Sequence, residues 1–365
     1  MISSVSLSLP IALDAMGGDK APASVIHGAQ IALRDYPHLR FIFFGDEKQI
    51  TPLLAKHKDL KLVSEIVHTD EIIEMHDKAS AALRSKRKSS MRLAIDAVAN
   101  KTASAVVSSG NTGALMATAK YVFKTLPGIA RPAITAFMPS QNGEVVMLDM
   151  GANVDCTAEH LVQFATMGDA YARAVLGLKR PRVALLNVGS EDLKGHEVVQ
   201  GAHQLIKDAH LPMDYIGFVE GHDILEGAAD VVVTDGFTGN VALKTAEGAA
   251  RFIFSTLKAS VEKSLLAKIG YLLARPALKK AMGKLDPRAR NGAILLGLNG
   301  LAVKSHGGSD AKGFAHAIGV AAKLVEQDIN NKIIEELTQT GITAALTMPS
   351  MVAAKPAALA SESVN

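Results

Sequence analysis

The sequence has 365 residues, which is long enough for one large α/β domain with a full hydrophobic core. Its net charge of +3 is too small to indicate a polyanionic partner, and the absence of tryptophan disfavours base stacking with nucleic acid. A single cysteine excludes an intrachain disulfide, and we see neither a signal peptide nor an apolar stretch of about twenty residues. These properties predict a cytoplasmic globular protein.

Short β-branched or aromatic segments alternate along the chain with segments of helical periodicity. The first strand is predicted at residues 11–13, and Pro22 then opens a helix. The further predicted strands are 41–44, 61–63, 65–67, 106–107, 133–137, 145–148, 183–186, 215–219 and 231–233. The further predicted helices include 53–54, 79–83, 91–99, 114–117, 160–175 and 198–209. This alternation predicts a mainly parallel sheet with helices on both faces and ligands beyond the carboxyl ends of its strands.

One combination of strand, small-residue turn and helix start occurs twice. The first copy is Val106-Val-Ser-Ser-Gly-Asn-Thr-Gly113, with a turn predicted at 108–113, and the second is Val232-Val-Thr-Asp-Gly-Phe-Thr-Gly239. The free N–H groups at a helix N-terminus favour anions. Because both copies have the same internal spacing, we expect two loops that face one anionic substrate.

Three other turns at predicted strand ends carry polar residues. Asp14-Ala-Met-Gly-Gly-Asp19 and residues 149–155 are candidate site turns, although Asp, Asn and Gly also suit ordinary turns and helix caps. Asn187-Val-Gly-Ser-Glu191 with Lys194 supplies an amide, a carboxylate and a cation. A phosphate site needs at least one cation, but such a lysine is often only a solvated charge.

Four further features have both a functional and a structural interpretation. Asn240 could donate to an oxyanion or be a polar residue of a helix start, and His306 could be a general acid or a surface histidine. Cys156 has no nearby histidine to activate it, so we expect it to be structural. The basic run 84–88 could dock an acidic carrier protein or be a solvated loop.

Residues 245–285 interrupt the alternation and predict a helical hairpin that breaks at Gly270 and resumes after Pro276. An apolar tip with basic neighbours is typical of a membrane-surface element, but it also suits packing against a twin hairpin in a dimer. The tip residues are Ile269, Tyr271, Leu272 and Leu273. Residues 349–365 are biased towards Ala, Ser and Pro and are expected to be a disordered tail, which leaves 1–348 as a single domain.

Two missing motifs narrow the chemistry. The sequence has no Gly-x-x-x-x-Gly-Lys-Ser/Thr motif, which disfavours ATP hydrolysis on a P-loop. It also lacks a Gly-x-Ser-x-Gly elbow and an activated cysteine, so a covalent acyl-enzyme has no evident nucleophile. Direct transfer to or from a bound phosphate remains.

The motifs together resemble the bacterial phosphate acyltransferase family of phospholipid synthesis, over nearly the whole chain and in the family's order. The matching segments are 11–19, Ser89-Ser-Met91, Ser109-Gly-Asn-Thr-Gly-Ala114, 149–155, 187–191, Thr234-Asp-Gly-Phe-Thr-Gly-Asn-Val241 and Lys304-Ser-His-Gly307. The chain departs from the family at Ala79, where proline is frequent, at Ser190, where an acidic residue is common, and in the tail after Pro349.

The resemblance implies that a fatty acyl group passes from acyl-carrier-protein to inorganic phosphate, giving an acyl phosphate. It also implies a three-layer αβα sandwich like the phosphotransacetylases and the isocitrate/isopropylmalate dehydrogenases, a homodimer, and transient membrane association through the hairpin. The product would go to a membrane-bound glycerol-3-phosphate acyltransferase, and no cofactor or metal is implied. The alternatives are a phosphotransacetylase acting on acyl-CoA, a decarboxylating NAD-dependent dehydrogenase, and a membrane-surface scaffold.

We therefore assign candidate roles to individual residues. The catalytic candidates are Lys194, Asn240 and His306. The phosphate- or substrate-binding candidates are Asp14, Gly17, Gly18, Ser109, Gly110, Asn111, Thr112, Gly113, Asn153, Asn187, Asp235, Gly236, Thr238 and Gly239. The carrier-docking candidates are Arg84, Lys86, Arg87 and Lys88.

Overall fold

The computed structural model describes residues 9–284 and 291–339, and within them eleven strands form one sheet. The strands are β1 (Ile11–Asp14), β2 (Phe41–Gly45), β3 (Ser64–His68), β4 (Ala105–Ser108), β5 (Ala133–Ser140), β6 (Gly143–Leu148), β7 (Arg182–Leu186), β8 (Asp214–Val219), β9 (Val231–Val233), β10 (Ala293–Leu296) and β11 (Ala302–Lys304). Their order across the sheet is β3-β2-β1-β4-β11-β10-β5-β6-β9-β7-β8.

The helices fill most of the connections between these strands. They are α1 (Ala23–Asp35), α2 (Glu47–Leu54), α3 (Lys58–Leu62), α4 (Ala79–Ser85), α5 (Ser90–Ala99), α6 (Thr112–Phe123), α7 (Ala158–Leu176), α8 (Glu197–Asp208), α9 (Asp223–Glu226), α10 (Gly236–Glu262), α11 (Leu265–Lys284), α12 (Ala311–Glu326) and α13 (Ile329–Gln339). The strand predicted at 61–63 is wrong, because 58–62 is helix α3. β3, which begins at Ser64, already pairs with β2 at that edge, so the sheet leaves no place for a strand at 61–63.

Most neighbouring strands are parallel, as predicted, but the sheet contains two groups that run in opposite directions. β3, β2, β1, β4 and β11 are parallel to one another and form the first strand group. β6, β9, β7 and β8 are likewise parallel and form the second strand group. The pairs β11–β10, β10–β5 and β5–β6 are all antiparallel, so the direction reverses between the two groups.

Helices cover both faces of the sheet, so the fold is the predicted three-layer αβα sandwich. Leu13 and Phe43 contribute to one apolar core, which also contains residues of α1, α7, α12 and α13. Ala12 and Phe44, their neighbours along β1 and β2, contribute to a second core with residues of α5 and α6. Alternate side chains of a strand point to opposite faces, so β1 and β2 each supply both cores.

The long helices α10 and α11 contain the predicted hairpin, but they separate at residues 263–264 and not at Gly270. The Ser264 hydroxyl accepts a hydrogen bond from the N–H of Ala267 at 3.3 Å, so it caps the start of α11. Gly270 and Pro276 lie inside α11, since a glycine weakens an exposed helix without ending it. No helix among the described residues is long and apolar enough to cross a membrane. The predicted tail at 349–365 lies outside the described residues.

Candidate functional site

The turns of the first strand group are built around the carboxylate of Asp14, which is 1% exposed at the end of β1. The Ser90 hydroxyl donates to Oδ1 of Asp14 at 2.6 Å, and the Ser108 hydroxyl donates to Oδ2 at the same distance. Burial raises the pKa of Asp14, while these hydroxyl donors oppose that shift. Asp14 therefore holds α5 and the end of β4 against the end of β1, and it is enclosed by protein.

The glycines near Asp14 allow three turns to interlock. The Ser109 hydroxyl donates to the carbonyl of Gly17 at 2.6 Å, and the N–H of Asp19 donates to the carbonyl of Gly307 at 3.0 Å. A Cβ on Gly17 would lie 2.7 Å from the backbone nitrogen of Gly110 and would overlap the Asp14 carboxylate, while a Cβ on Gly18 would lie 2.9 Å from the Gly307 carbonyl oxygen. These candidates thus bring the ends of β1, β4 and β11 together.

The first Gly-x-Thr-Gly copy continues into α6, which begins at Thr112, two residues earlier than predicted. Asn111 is its N-cap: Oδ1 accepts from the N–H of Ala114 at 3.0 Å, and Nδ2 donates to the carbonyls of Met75 and Asp77 at 2.8 and 3.0 Å. Because both ends of this amide are engaged, Asn111 secures the 75–77 segment. The N–H groups of the first helical turn, next to Thr112, are the part of the copy suited to an anion.

Within the basic run, Lys86 differs from the other candidate docking residues. Its Nζ donates to Asp77 and to the carbonyl of Ile72, both at 2.6 Å. This hydrogen bond with Lys86 lowers the pKa of Asp77. Arg84, Arg87 and Lys88 are exposed, so they are the charges of the run that a partner could contact.

Lys304, which we did not assign from the sequence, ends β11 opposite Ser108 of β4. It is 9% exposed, its Nζ donates to the carbonyl of Ser305, and burial lowers its pKa to about 8 although Asp14 opposes the shift. A lysine placed directly after Ala302-Val303 at a strand end is the sequence signal that could have found it. Lys304 is therefore a buried cation among the turns of the first group.

His306 lies in the loop that follows Lys304. Its backbone N–H donates to Oδ1 of Asn291 at 2.8 Å, and its Nδ1 accepts from the N–H of Gly308 at 3.1 Å. A neutral ring that accepts at Nδ1 carries its proton on Nε2, so Nε2 can donate. Burial lowers the pKa of His306, and the charge on Lys244 of α10 lowers it further. This disfavours the imidazolium form that the proposed general acid would use.

The turn after β6 is organised by a second buried aspartate, Asp149. Its Oδ1 accepts from the N–H groups of Ile134, Gly151 and Ala152 at 3.0, 3.1 and 2.9 Å. Its Oδ2 accepts from the N–H and the Nδ2 of Asn153 at 2.7 and 2.8 Å, and that Nδ2 also donates to the carbonyl of Pro132 at 2.8 Å. The amide of Asn153 therefore shapes the turn.

The second Gly-x-Thr-Gly copy lies in the first turn of α10 rather than in a loop, with Asp235 as its N-cap. Its backbone N–H groups are mostly occupied: Gly236 donates to the carbonyl of Asn153 at 2.8 Å, Thr238 to the carboxylate of Asp235 at 2.8 Å, and Gly239 to the carbonyl of Asp235 at 3.0 Å. The Thr238 hydroxyl donates to the same carboxylate at 2.7 Å. This turn therefore presents a carboxylate and few free donors to an anion.

The side chains of Asn240 and Lys194, in contrast, are exposed. Asn240 follows the N-terminal turn of α10, next to Gly151, where a Cβ would lie 3.5 Å from the Asn240 Cγ. Lys194 lies in the loop after β7, and β7 and β6 pair with opposite sides of β9. Since these three strands are parallel, their carboxyl ends place Asn153, Asn240 and Lys194 at one edge of the sheet.

The two copies of the motif end strands that are separated by β11, β10, β5 and β6 and that run in opposite directions. The charge on Lys244 of α10 nevertheless lowers the pKa of both Lys304 and His306. From this effect we infer that α10 approaches the first strand group. The prediction that both copies face one substrate stays a prediction, and α10 is the element that supports it.

The model of the fatty acid synthesis protein family matches residues 9–332. A curated relative from Paramagnetospirillum magneticum, named phosphate acyltransferase, is 53% identical over 350 residues, which cover 96% of this chain and 99% of the relative. A phosphate acyltransferase from Rhodospirillum centenum is 55% identical over 341 residues, covering 93% of this chain and 96% of the relative. The chain belongs to this family. It is an acyltransferase of lipid biosynthesis, as the family resemblance implied.

Solved structures confirm the predicted fold of this phosphate acyltransferase family member. A phosphotransacetylase from Streptococcus pyogenes superposes with a TM-score of 0.59 at 19% identity, covering 88% of this chain and 94% of that protein. A phosphotransacetylase from Staphylococcus aureus gives a TM-score of 0.56 at 17% identity, covering 87% and 94%. At these identities the similarity shows the fold alone.

Cys156 also fits the structural role expected from the sequence. Burial raises the pKa of its thiol to about 12, and its Sγ lies 3.6 Å from the carbonyl oxygen of Asn153. A thiol with this pKa is protonated at neutral pH and is a poor nucleophile.

Proposed function

We propose that this acyltransferase moves a fatty acyl group from an acyl-carrier-protein thioester to inorganic phosphate, giving an acyl phosphate for membrane phospholipid synthesis. The observation that carries the proposal is the pair of exposed polar side chains, Lys194 and Asn240, beyond the neighbouring strands β7 and β9. A cation and an amide donor at one sheet edge suit a phosphate and the oxyanion of a reacting carbonyl.

In this mechanism phosphate is the nucleophile. One of its oxygens attacks the thioester carbonyl carbon, and the C–S bond then breaks so that its electron pair leaves on the thiolate. Phosphate is already anionic near pH 7, and a thiolate with a pKa near 8.5 leaves with little acid assistance. Lys194 would neutralise phosphate charge, and Asn240 would donate to the oxyanion. The protonated thiol of Cys156 supports transfer without a covalent acyl-enzyme.

The first strand group would contact the phosphate from the other side. Its available groups are the N-terminal turn of α6 at Thr112, the buried cation of Lys304, and the Nε2–H of His306. Ser109 and Gly110 would act by shaping this cradle, because the Ser109 hydroxyl and the Gly110 N–H are bonded within it. Asp235 and Thr238 would likewise hold α10 in place for Asn240.

We further propose that an acidic carrier protein docks on Arg84, Arg87 and Lys88. Lys86 and Asn111 both bond to Asp77, so the segment around Asp77 connects the basic run to the N-terminus of α6. A carrier protein bound at the basic run would therefore contact a segment that is hydrogen-bonded to the first Gly-x-Thr-Gly copy through Asp77. The acyl phosphate would pass to a membrane-bound glycerol-3-phosphate acyltransferase.

The hairpin supports a peripheral position at the membrane, a homodimer, or both. The residues predicted as its tip lie within α11 instead, and they are exposed, at 52% for Ile269, 64% for Leu272 and 79% for Leu273. Tyr271 is 38% exposed. Apolar side chains among basic residues suit an anionic lipid surface, and they equally suit a second copy of the hairpin.

The experiment that tests the donor is a phosphate-dependent thiol-release assay with palmitoyl-carrier protein, palmitoyl-CoA and acetyl-CoA. We expect rapid release from the carrier-bound acyl group alone, with acyl phosphate as product. A preference for acetyl-CoA would instead make the protein a phosphotransacetylase. Release that does not depend on phosphate would exclude phosphate as the nucleophile.

The assignment of residues is tested with Lys194→Ala and Asn240→Ala, and with Lys332→Ala on α13 as the matched control. We expect each site variant to lower kcat/KM at least about tenfold, which corresponds to about 1.4 kcal/mol, at unchanged stability. Activity within about threefold of the unmodified protein would overturn the role of the residue concerned.

A further inference from the structure

Lys194 lies in the loop between β7 and α8. In this loop three consecutive backbone carbonyls, those of residues 193–195, accept hydrogen bonds from side-chain amides. Nε2 of Gln200 donates to the carbonyl of Leu193 at 2.9 Å and to the carbonyl of Gly195 at 3.1 Å. Nδ2 of Asn187 donates to the carbonyl of Lys194 itself at 3.0 Å. A side-chain amide has two N–H bonds, so Gln200 can serve both of its carbonyls at once.

The two amides are themselves anchored on different elements. Asn187 follows β7, and its backbone N–H donates to the carbonyl of Val219 on the neighbouring strand β8 at 2.9 Å. Gln200 lies in the first turns of α8. Gly195 has a φ of +92°, and a Cβ there would overlap the side-chain oxygen of Asn187. The loop backbone around Lys194 is thus fixed from the sheet on one side and from a helix on the other.

Lys194 is exposed, whereas Gln200 and Asn187 are partly buried. A long flexible side chain on a mobile loop would lose conformational entropy on binding an anion, and a fixed backbone reduces that loss. The two side-chain amides thus donate to backbone carbonyls at and beside Lys194.

We propose that Gln200 is a positioning residue that acts through Lys194, and that with Asn187 it clamps the lysine at the phosphate subsite. This inference rests on the proposed role of Lys194. In this role Gln200 would not contact the substrate, so its whole effect on turnover should depend on the presence of the lysine.

The test is a double-mutant cycle in the full-length protein, read out as phosphate-dependent thiol release from palmitoyl-carrier protein. The variants are Gln200→Ala, Lys194→Ala and the double variant. Gln204→Ala is the matched control, because Gln204 is one turn further along α8 and donates to the side chain of Asp208, at 2.8 Å. We expect Gln200→Ala to lower kcat/KM for phosphate about tenfold, and Gln204→Ala to change it less than about twofold.

In the Lys194→Ala background we expect Gln200→Ala to lower kcat/KM less than about twofold further, because the residue it positions is gone. We also expect the KM for phosphate to rise more than the KM for the acyl donor. Gln200→Glu keeps the shape but cannot donate, so it should behave like Gln200→Ala while remaining folded.

Equal losses from Gln200→Ala in both backgrounds would overturn the clamp while leaving the role of Lys194 intact. An unchanged kcat/KM in Gln200→Ala would overturn it as well. If Lys194→Ala itself is fully active, the proposed role of Lys194 fails, and the clamp loses its function with it.

Discussion

The two Gly-x-Thr-Gly copies share a sequence pattern but are built differently. In the first copy Ser108, Ser109 and Gly110 are buried in an interlocked set of turns, and α6 begins beyond them. In the second copy the whole Gly-x-Thr-Gly segment is already the first turn of α10, and the exposed residue Asn240 comes next. The first copy is thus mainly a buried packing element, whereas the second copy leads to an exposed side chain, that of Asn240, at the edge of the sheet.

The difference shows that a local motif does not determine which of its groups are free. The second copy has most of its N–H groups bonded to Asp235 and Asn153, so its site role depends on Asn240. Each copy also lies beside a different buried aspartate: the side-chain donors to Asp14 are two hydroxyls, which can rotate, whereas the only side-chain donor to Asp149 among the described residues is the amide of Asn153, beside several backbone N–H groups.

The largest effect is expected from alanine at the last glycine of each copy. A Cβ on Gly239 would overlap the backbone carbonyl of Asp149, whereas a Cβ on Gly113 would meet only ordinary contacts at 3.5 Å. We expect Gly239→Ala to lower the free energy of unfolding by about 3 kcal/mol or more, since backbone must move. Gly113→Ala should range from neutral to about 1 kcal/mol more stable, because alanine favours a helix. Urea unfolding measures both, and equal changes would show that the two turns are packed alike.

The next effect separates the two buried aspartates. In Asp149→Asn the new NH₂ group would face the donors of Asn153, and we expect a loss of about 2–3 kcal/mol in the free energy of unfolding. In Asp14→Asn the hydroxyls of Ser90 and Ser108 can rotate to accept, so we expect a loss of only about 1 kcal/mol. Urea unfolding of the two variants at one pH compares them, and a larger loss for Asp14→Asn would contradict this explanation.

The third effect is a pH dependence of stability that comes from Lys304 in the first strand group. Burial lowers the pKa of Lys304 from 10.5 to about 8, so above that pH the unfolded chain binds more protons than the folded one. The contribution of Lys304 to stability therefore rises with pH from about 8 towards the unfolded pKa.

We expect the stability of the unmodified protein relative to Lys304→Met to rise by about 2 kcal/mol between pH 7.5 and 9.5. Denaturant unfolding at both pH values measures this difference. Lys194→Met is the control, because it removes an exposed lysine and leaves Lys304 in place. A pH-independent difference for Lys304→Met would mean that Lys304 titrates like an ordinary lysine.

Short-range patterns were sufficient to predict most strands and helices. The segments 106–107 and 231–233 are buried strands because β-branched residues suit a covered sheet, and the helix predicted at 160–175 lies within α7. The errors fell where local signals compete. A glycine in an exposed helix predicts a break at Gly270, but the capping serine, Ser264, marks the actual helix start just before Leu265.

Strand order and burial depend on contacts between residues far apart in the chain, so no local pattern could predict them. The reversal between the two strand groups arises from three antiparallel pairs, and in one of these the partners β10 and β5 lie more than 150 residues apart. The lowered pKa of Lys304 likewise depends on distant contacts, because its burial at the end of β11 places it beside Ser108 of β4. Position 239 requires glycine because the Asp149 carbonyl, distant in sequence, lies where a Cβ would be. The sequence by itself therefore identifies the residue types that could bind phosphate or stabilise an oxyanion. Only the tertiary structure determines which of their polar atoms are bonded within the protein and which remain exposed.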